Sequence, residues 1–271
     1  MAKNGKVLLA GPWVGEFGWE LFCWQGFVRM LSPLFEKTII ISRPGHKYIY
    51  EDFCSEYIEF DPKSYKTRKH QCFVIDPEVD SATERVECSM EGALEIIKNI
   101  RHDFYFTGAI NLKAEDKTIF RRQQFYKYDF KSGDGYDIIL HCRNKSTGGN
   151  RNWNADNWKE LYDSLPKNLS VACIGNSEAL HLHGTKDLRG LDVKQVVGVL
   201  NSSKLIVGPS SGPMHLASLC GMPHIVWGRE DLRIVYESWW NPFDAKAIYH
   251  SKDDWNPSPS TINKLILQNI Q

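Results

Sequence analysis

The sequence shows no excess of either charge, no long hydrophobic run and no paired cysteine motif. Its 33 basic and 33 acidic residues cancel, whereas proteins that hold nucleic acid by bulk electrostatics usually carry an excess of Lys and Arg. No stretch approaches the roughly 18 apolar residues that a membrane span needs, and the run Val7–Ala10 is too short for a signal peptide. We therefore expect a cytoplasmic chain without a transmembrane segment, in which nucleic-acid binding would need a local basic patch.

Metal-binding motifs are also missing from the sequence. The seven cysteines are scattered, none forms a Cys-x-x-Cys pair, and most lie in apolar runs, where a free thiol acts as a small hydrophobe. This distribution favours a reducing compartment and argues against a zinc site. His181 and His183 have the spacing of two ligands on a strand, but no third ligand and no Asp-x-Asp motif is evident. We expect a surface loop there, and neither a metal nor a cofactor.

The sequence does contain a regular alternation of short apolar runs with amphipathic segments. In the first part, Val7–Ala10 and Thr38–Ser42 predict strands on either side of a helix over Glu20–Leu31. After a linker at Ser132–Gly135 the alternation predicts further strands at Tyr136–Cys142, Leu169–Ile174, Lys204–Val207 and His224–Trp227, and helices at Asn157–Ser164, Val193–Asn201 and Pro213–Leu219. Such alternation is typical of parallel α/β sheets. We predict two α/β domains, residues 1–133 and 134–271.

The most informative segment is the junction of a strand and a helix at residues 204–217, Lys-Leu-Ile-Val-Gly-Pro-Ser-Ser-Gly-Pro-Met-His-Leu-Ala. Pro213 suits a first helical turn because the N–H that it lacks would be unpaired there. The remaining N–H groups and the helix dipole make such a helix start a site for anions, especially phosphate. Ser210 and Ser211 add donors, and Gly212 permits close approach of the backbone. An ordinary strand-to-helix turn capped by serine would explain the same residues.

Residues 187–228 around this junction resemble the C-terminal domain of the ADP-heptose:lipopolysaccharide heptosyltransferase family. The matching features are an Asp-x-x-Gly segment, a helix, a strand, a Ser-Gly-Pro-x-His-x-Ala loop and a following Gly-x-Pro. The resemblance implies a GT-B-like α/β fold, with two Rossmann-like domains facing across a cleft, and metal-independent transfer from a nucleotide sugar. It places Ser211, Gly212, Pro213, Met214 and His215 at the donor diphosphate, and to these we add Ser210 and Gly175. The family often has an acidic or amide residue where Pro209 or Ser210 stands, so the donor sugar stays open.

A second region resembles the same family. Residues 139–145 form a strand that ends near basic residues, and Arg151-Asn-Trp153 begins the next helical segment. Arg143, Lys145 and Arg151 would then neutralise the departing nucleoside diphosphate, which needs cations or dipoles where charge develops. Placement at the carboxyl edge of a parallel sheet favours this role over a solvated basic loop.

The N-terminal loop Gly11–Leu21 resembles the Gly-Asp loop of the family, whose acidic residue is thought to deprotonate the acceptor hydroxyl. Gly15-Glu16 stands at the matching position, with Glu in place of Asp. Inverting sugar transfer needs a general base within hydrogen-bond reach of the attacking hydroxyl. We therefore predict Glu16 as the catalytic base and Glu20 as the second candidate, although Glu20 could equally complement the dipole of its helix.

The first domain should hold the acceptor, and we assign Trp13, Trp19, Arg121 and Arg122 to it. Arg121 and Arg122 belong to a stretch, Lys117–Lys131, in which cations interleave with aromatic residues. Such a stretch can follow a phosphate backbone while bases stack on the rings. It could equally hold the phosphates of a lipopolysaccharide core, or form a helix with a solvated basic face. A less periodic region before it predicts one helix, Met90–Ile100, and another basic stretch, Lys63–His70.

The sequence thus predicts an inverting glycosyltransferase that moves a sugar from a nucleoside-diphosphate donor to a hydroxyl of a glycan or lipopolysaccharide-type acceptor. A hydroxylated base in DNA is an alternative acceptor, by analogy with phage glucosyltransferases. Two further alternatives stay open, namely a nucleotide-sugar epimerase or hydrolase on the same scaffold and a non-catalytic module that binds nucleotides.

Overall fold

A computed structural model describes residues 5–13, 15–61, 96–106, 123–145 and 149–270, together with the backbone of 69–70 and 86–87. Arg121, Arg122 and most of the stretch Lys63–His70 lie outside these residues. The predicted helix Met90–Ile100 is described only from residue 96, and residues 96–98 are helical. The chain divides into two compact units, Met1–Phe125 and Tyr126–Gln271.

The first unit is built on a parallel four-stranded sheet in the order β3-β2-β1-β6. Its strands are β1 (Val7–Ala10), β2 (Lys37–Ser42), β3 (Glu56–Glu59) and β6 (Phe104–Phe106), and β4 (Lys69–His70) pairs antiparallel with β5 (Val86–Glu87). Leu9 of β1 and Ile39 and Ile41 of β2 are buried in one cluster with Phe60 and Ile97. Leu8, Leu9 and Ala10 of β1 are all buried, as expected for a parallel strand with a neighbour on each side.

The helical segment after β1 is irregular. It runs as α1 (Phe17–Trp19), a π-helical turn (Glu20–Trp24) and α2 (Gln25–Leu31), and a 3₁₀ turn follows at Ser32–Leu34. All five residues of the π turn are buried. Single π turns inside helices occur frequently at functional sites, and this one lies directly after the loop that leaves β1.

The second unit is built on a parallel six-stranded sheet in the order β12-β11-β10-β7-β8-β9. Its strands are β7 (Ile138–Leu140), β8 (Val171–Gly175), β9 (Lys186–Arg189), β10 (Leu205–Pro209), β11 (His224–Trp227) and β12 (Ala247–His250). Its helices are α3 (Ala155–Ser164), α4 (Val193–Ser202), α5 (Gly212–Cys220) and α6 (Pro259–Asn269), with shorter turns at Gly149–Arg151, Glu230–Leu232 and Val235–Trp239. Counted along the chain, this is the 3-2-1-4-5-6 order of a Rossmann fold.

Local sequence signals fix the helices of the second unit. The side chain of Asn154 caps α3 and that of Ser258 caps α6, which satisfies backbone N–H groups that have no partner inside the helix. A reciprocal capping box between Asp192 and Gln195 begins α4. Gly221 ends α5 with a φ of 71°, a left-handed conformation that favours glycine.

The boundary between the two units falls between Phe125 and Tyr126, before the linker expected at Ser132–Gly135. The N–H of Tyr128 donates to Leu219 O at 3.1 Å, and Asn201 donates to Tyr128 O at 2.8 Å. The N–H of Ser132 donates to Gly198 O at 3.1 Å, and a Cβ on Gly135 would clash with Ser202 O. The expected linker is thus packed along α4 inside the second unit. No helix among the described residues is long and apolar enough to cross a membrane.

Candidate functional site

The second sheet has a topological switch point between β7 and β10. These two strands are neighbours, with Ile139 opposite Ile206 and Leu140 opposite Val207, while the chain continues from them towards opposite edges of the sheet. Ligands of parallel α/β sheets bind outside the carboxyl ends of the strands at such a point. The residues predicted for the donor follow these two strands, so the fold brings both predicted segments to one edge.

The turn from β10 into α5 is organised by a residue that the sequence did not predict, Tyr236. Its side chain is fully buried, and its hydroxyl donates to Ser210 Oγ at 3.0 Å and accepts from the N–H of Ser211 at 3.1 Å. The same hydroxyl lies 3.1 Å from His215 Nε2, and the two rings stack with centroids 4.4 Å apart. Tyr236 therefore fixes three members of the predicted donor loop through one oxygen atom.

His215 is held in a neutral state by its surroundings. It is buried and has the ring of Trp240 edge-on at 4.6 Å, in addition to the stacked Tyr236. Burial, together with neighbouring His224 and Arg151, lowers the pKa of His215 to about 3. At neutral pH its imidazole therefore serves as a hydrogen-bonding group rather than as a cation.

Most hydrogen-bond donors at the start of α5 are already used by the protein. Besides the Ser211 N–H, the Ser211 hydroxyl donates to Pro209 O at 2.9 Å, and the N–H groups of Met214 and His215 donate to Ser211 O at 3.1 and 3.2 Å. Pro213 has no N–H. Among the described residues, the N–H of Gly212 has no acceptor in the chain. The helix start therefore offers one free amide and its dipole to an anion.

The loop after β7 supplies the cations. Arg143 is 3% exposed, and its guanidinium donates to Asn152 Oδ1. Asn152 also accepts from the Lys145 N–H at 3.1 Å and donates to Lys145 O at 2.8 Å. Its side chain therefore links the two ends of the loop between Lys145 and Asn152. Lys145 is exposed. Arg151 lies 6.0 Å from the ring of Trp255, and its charge is the smallest of the three causes that lower the pKa of His215.

Gly175 ends β8 at the same edge. Its φ is 142°, and a Cβ there would lie 2.7 Å from Ala179 Cβ and 3.4 Å from His141 Nδ1. His141 follows β7, is buried, and has its Nδ1 3.3 Å from Ile174 O. Burial, and to a smaller extent the charges of Lys145 and Arg143, lowers the pKa of His141 to about 4. Because Gly175 has no side chain, the buried and neutral His141 fits beside the end of β8.

In the first unit, the loop after β1 is tied down by its neighbours. The N–H of Gly11 donates to Phe106 O at 2.8 Å, and the N–H of Trp13 donates to Ile41 O at 3.0 Å. Arg43, just after β2, donates to Gly15 O at 2.9 Å. These bonds hold Glu16 as the exposed N-cap residue of α1, without a capping bond from its side chain.

Glu20 occupies a very different environment. Its carboxylate is 0% exposed and accepts hydrogen bonds from Ser42 Oγ at 2.6 Å and from Tyr50 OH at 2.5 Å. His46 Nδ1 lies 2.7 Å from the other carboxylate oxygen. Burial alone would raise the pKa of Glu20, but the charge of His46 and the three hydrogen bonds outweigh it and lower that pKa. Glu20 is therefore an ionised, enclosed carboxylate.

The acceptor-side aromatic residues differ in exposure. Trp13 is 2% exposed and stacks on Trp24 with centroids 5.4 Å apart, so its ring is part of the core. Trp19 is half-buried on α1, whereas Arg121 and Arg122 lie outside the described residues. His181 lies 3.3 Å from Thr185 O and His183 is exposed. The described part of the chain contains no group of three residues suited to hold a metal.

The fold is similar to that of solved glycosyltransferases. The heptosyltransferase WaaC of E. coli with ADP has a TM-score of 0.62 at 11% identity, over 97% of this chain and 99% of that chain. The glycosyl transferase family 9 protein of Veillonella parvula has 0.58 at 12%, over 100% and 93%. The E. coli ADP-heptose lipopolysaccharide heptosyltransferase II has 0.52 at 15%, over 97% and 99%. No protein-family model and no curated protein matches the sequence. The likeness confirms the predicted GT-B-like class, in which two parallel sheets belong to one mixed α/β chain.

Several residues of the two sites carry no sequence signal of their own. Tyr236 belongs to the run Ile-Val-Tyr-Glu-Ser-Trp-Trp, which has no clear helical or strand period. Asn152 and His46 lie in loops, and each acts on residues of another segment. Only the fold brings these side chains to their partners.

Proposed function

We propose that the chain is an inverting glycosyltransferase that takes its sugar from a nucleoside-diphosphate donor held by the second unit. The observation that carries this proposal is the arrangement at the β7/β10 switch point. The Gly212 amide at the start of α5 and the buried Arg143 in the loop after β7 follow two neighbouring strands of the sheet. Solved structures with this fold include a heptosyltransferase with ADP bound.

The donor diphosphate would lie at the start of α5. The Gly212 N–H and the dipole of α5 would bind one phosphate, while Arg143, Lys145 and Arg151 would balance the charge that grows on the leaving group. Ser210, Ser211, Pro213, Met214 and His215 would shape this turn, with Tyr236 holding it in place. Gly175, which has no side chain, would leave space for the donor at the end of β8. This assignment requires no metal and no cofactor.

The acceptor would be bound by the first unit, through one of its hydroxyl groups. The exposed Glu16 and the half-buried Trp19 lie on the loop and helix that follow β1, where a glycan hydroxyl could meet a base and an aromatic face. The buried ring of Trp13 would anchor this loop in the core of the first unit. A glycan or lipopolysaccharide-type acceptor is the class that we propose.

A panel of nucleoside diphosphates and their sugars tests this function. ADP, UDP, GDP, CDP and dTDP are compared for their effect on thermal unfolding, since a ligand at 100 times its Kd stabilises the fold by about 2.7 kcal/mol. The corresponding sugars are then assayed for release of the nucleoside diphosphate. We expect one base to stand out in both measurements. Binding without release would instead indicate a non-catalytic module, and conversion of the sugar without an acceptor would indicate an epimerase or a hydrolase.

A matched pair of variants links the result to the site. Arg151→Gln removes a cation at the proposed diphosphate site, and we expect about tenfold weaker binding of the nucleoside diphosphate, because a hydrogen bond to a charged group contributes about 1.5–3 kcal/mol. Arg101→Gln removes an exposed arginine that precedes β6 in the first unit and should leave the affinity unchanged. Equal affinities for all three proteins would refute the assignment of Arg151.

A further inference from the structure

The carboxyl edge of the first sheet holds a carboxylate–imidazole pair that the sequence did not predict. Glu20 and His46 are 2.7 Å apart between Oε2 and Nδ1. Their exposures differ sharply, since the Glu20 side chain is fully buried whereas 18% of the His46 side chain is exposed. The buried carboxylate therefore lies behind an imidazole that reaches the surface.

This contact fixes the tautomer of His46. An ionised carboxylate can only accept hydrogen bonds, so the imidazole must carry a proton on Nδ1. Ser42 and Tyr50 donate to the other oxygen of the same carboxylate and hold it in position. In neutral His46 the lone pair is then on Nε2, and no described residue forms a hydrogen bond with that atom. A buried carboxylate that orients the imidazole of a general base is an arrangement that recurs on unrelated folds.

His46 also lies beside the loop assigned to the acceptor. It follows β2, and its ring contacts that of Phe17 with centroids 5.1 Å apart. Phe17 is the residue after Glu16, and Arg43 binds Gly15 O in the same loop. The imidazole therefore lies against the residue that follows Glu16.

We infer that His46, oriented by Glu20, is the general base that deprotonates the acceptor hydroxyl; this inference rests on the proposed glycosyltransferase function. His46 Nε2 takes the hydroxyl proton while the acceptor oxygen forms a bond to the anomeric carbon of the sugar. The bond from that carbon to the phosphate oxygen breaks, and its electron pair leaves with the nucleoside diphosphate. The resulting imidazolium is stabilised by the Glu20 carboxylate until the proton passes to water. Glu20 is a positioning residue, and Glu16 is left to contact the acceptor.

His46→Asn tests the role of Nε2 with little change to the fold. The Asn amide can replace Nδ1 as the donor to Glu20, but it offers no base in the place of Nε2. His102→Asn is the matched control, because His102 is also half-buried, has its Nδ1 2.7 Å from a backbone oxygen (that of Ile100), and precedes β6 at the opposite edge of the sheet. Glu16→Gln tests the alternative that Glu16 is the general base. His46→Ala is assayed with and without added imidazole.

The measurement is turnover of the nucleotide sugar that the panel identifies, together with the Kd of its nucleoside diphosphate. We expect His46→Asn to lower kcat by about 100-fold or more, the usual contribution of a general base, with Kd unchanged, and we expect imidazole to restore part of the rate of His46→Ala. His102→Asn should match the wild type. The inference would be overturned if His46→Asn kept its turnover within about threefold of wild type, or if only Glu16→Gln lost about 100-fold or more. The proposed function would still stand in either case. A wild-type protein that turns over no sugar would refute the proposed function itself, before any variant is compared.

Discussion

The two units place opposite charges behind the carboxyl edges of two similar sheets. In each, the first strand lies between the second strand and a later one. Behind the first edge is an anion, the fully buried Glu20, surrounded by hydroxyls and an imidazole. Behind the second edge is a cation, the nearly buried Arg143, beside the neutral His141. The topology therefore provides the place for a site in both units, whereas the buried charges differ in sign; in our proposal the anion orients a base in the first unit and the cation holds a phosphate in the second.

The largest difference between the units should appear on acidification. Burial lowers the pKa values of His141, His215 and His224 to about 4, 3 and 4, from an ordinary 6.5. Below pH 6.5 the unfolded chain therefore binds more protons than the folded one, and stability falls as the pH drops towards 4. At pH 5 each histidine costs about 2 kcal/mol, given about 1.4 kcal/mol for each unit of pKa. The lowered pKa of Glu20 has the same sign, but its contribution is lost only below its ordinary value of 4.5.

Hydrogen exchange at pH 7 and pH 5, corrected for intrinsic rates, checks this prediction. We expect faster opening at pH 5 in β7, β10 and β11 than in β1 and β2. Equal losses of protection in the two units would mean that the buried histidines do not set the acid response.

A smaller effect should follow from removing the Tyr236 hydroxyl. In Tyr236→Phe the ring can still stack on His215, but Ser210 Oγ and the Ser211 N–H lose their common partner. We expect about fivefold weaker binding of the nucleoside diphosphate, since one hydrogen bond contributes about 1 kcal/mol. Tyr249→Phe is the control, because its ring also packs near Tyr236, with centroids 5.6 Å apart, but its hydroxyl donates to Arg229 O at 2.8 Å instead of to a residue of the turn. An equal change in both variants, measured by titration calorimetry, would remove the special role of Tyr236.

The central strands and the helix at the proposed phosphate site could be predicted because their signals are local. The apolar residues that form β7, β10 and β11 are fully buried, and Pro213 with the preceding small residues indicated where α5 begins. Strands β9 and β12 were missed because they form the two edges of the sheet, and their side chains are only partly buried. A strand with one exposed edge needs no continuous apolar run.

The environment of the predicted site residues could not be predicted from local sequence signals. Glu16 and Glu20 look alike in the sequence, yet one is exposed and the other is enclosed by Ser42, His46 and Tyr50. Ser42 is the last residue of β2, and His46 and Tyr50 follow that strand, so the pairing depends on the fold rather than on any local pattern. The same holds for Ser211 before α5, whose N–H donates to Tyr236 and whose hydroxyl donates within its own loop.

The central claim is that the free amide at the start of α5 binds a phosphate of the donor, and one pair of variants tests it directly. Gly212→Ala keeps the N–H, whereas Gly212→Pro removes it at the first helical position, where proline is well tolerated. The Kd of the stabilising nucleoside diphosphate is measured for both by titration calorimetry. The account predicts near wild-type affinity for Gly212→Ala and at least about tenfold weaker binding for Gly212→Pro, a loss of about 1.4 kcal/mol. Equal affinity of the two variants would contradict it.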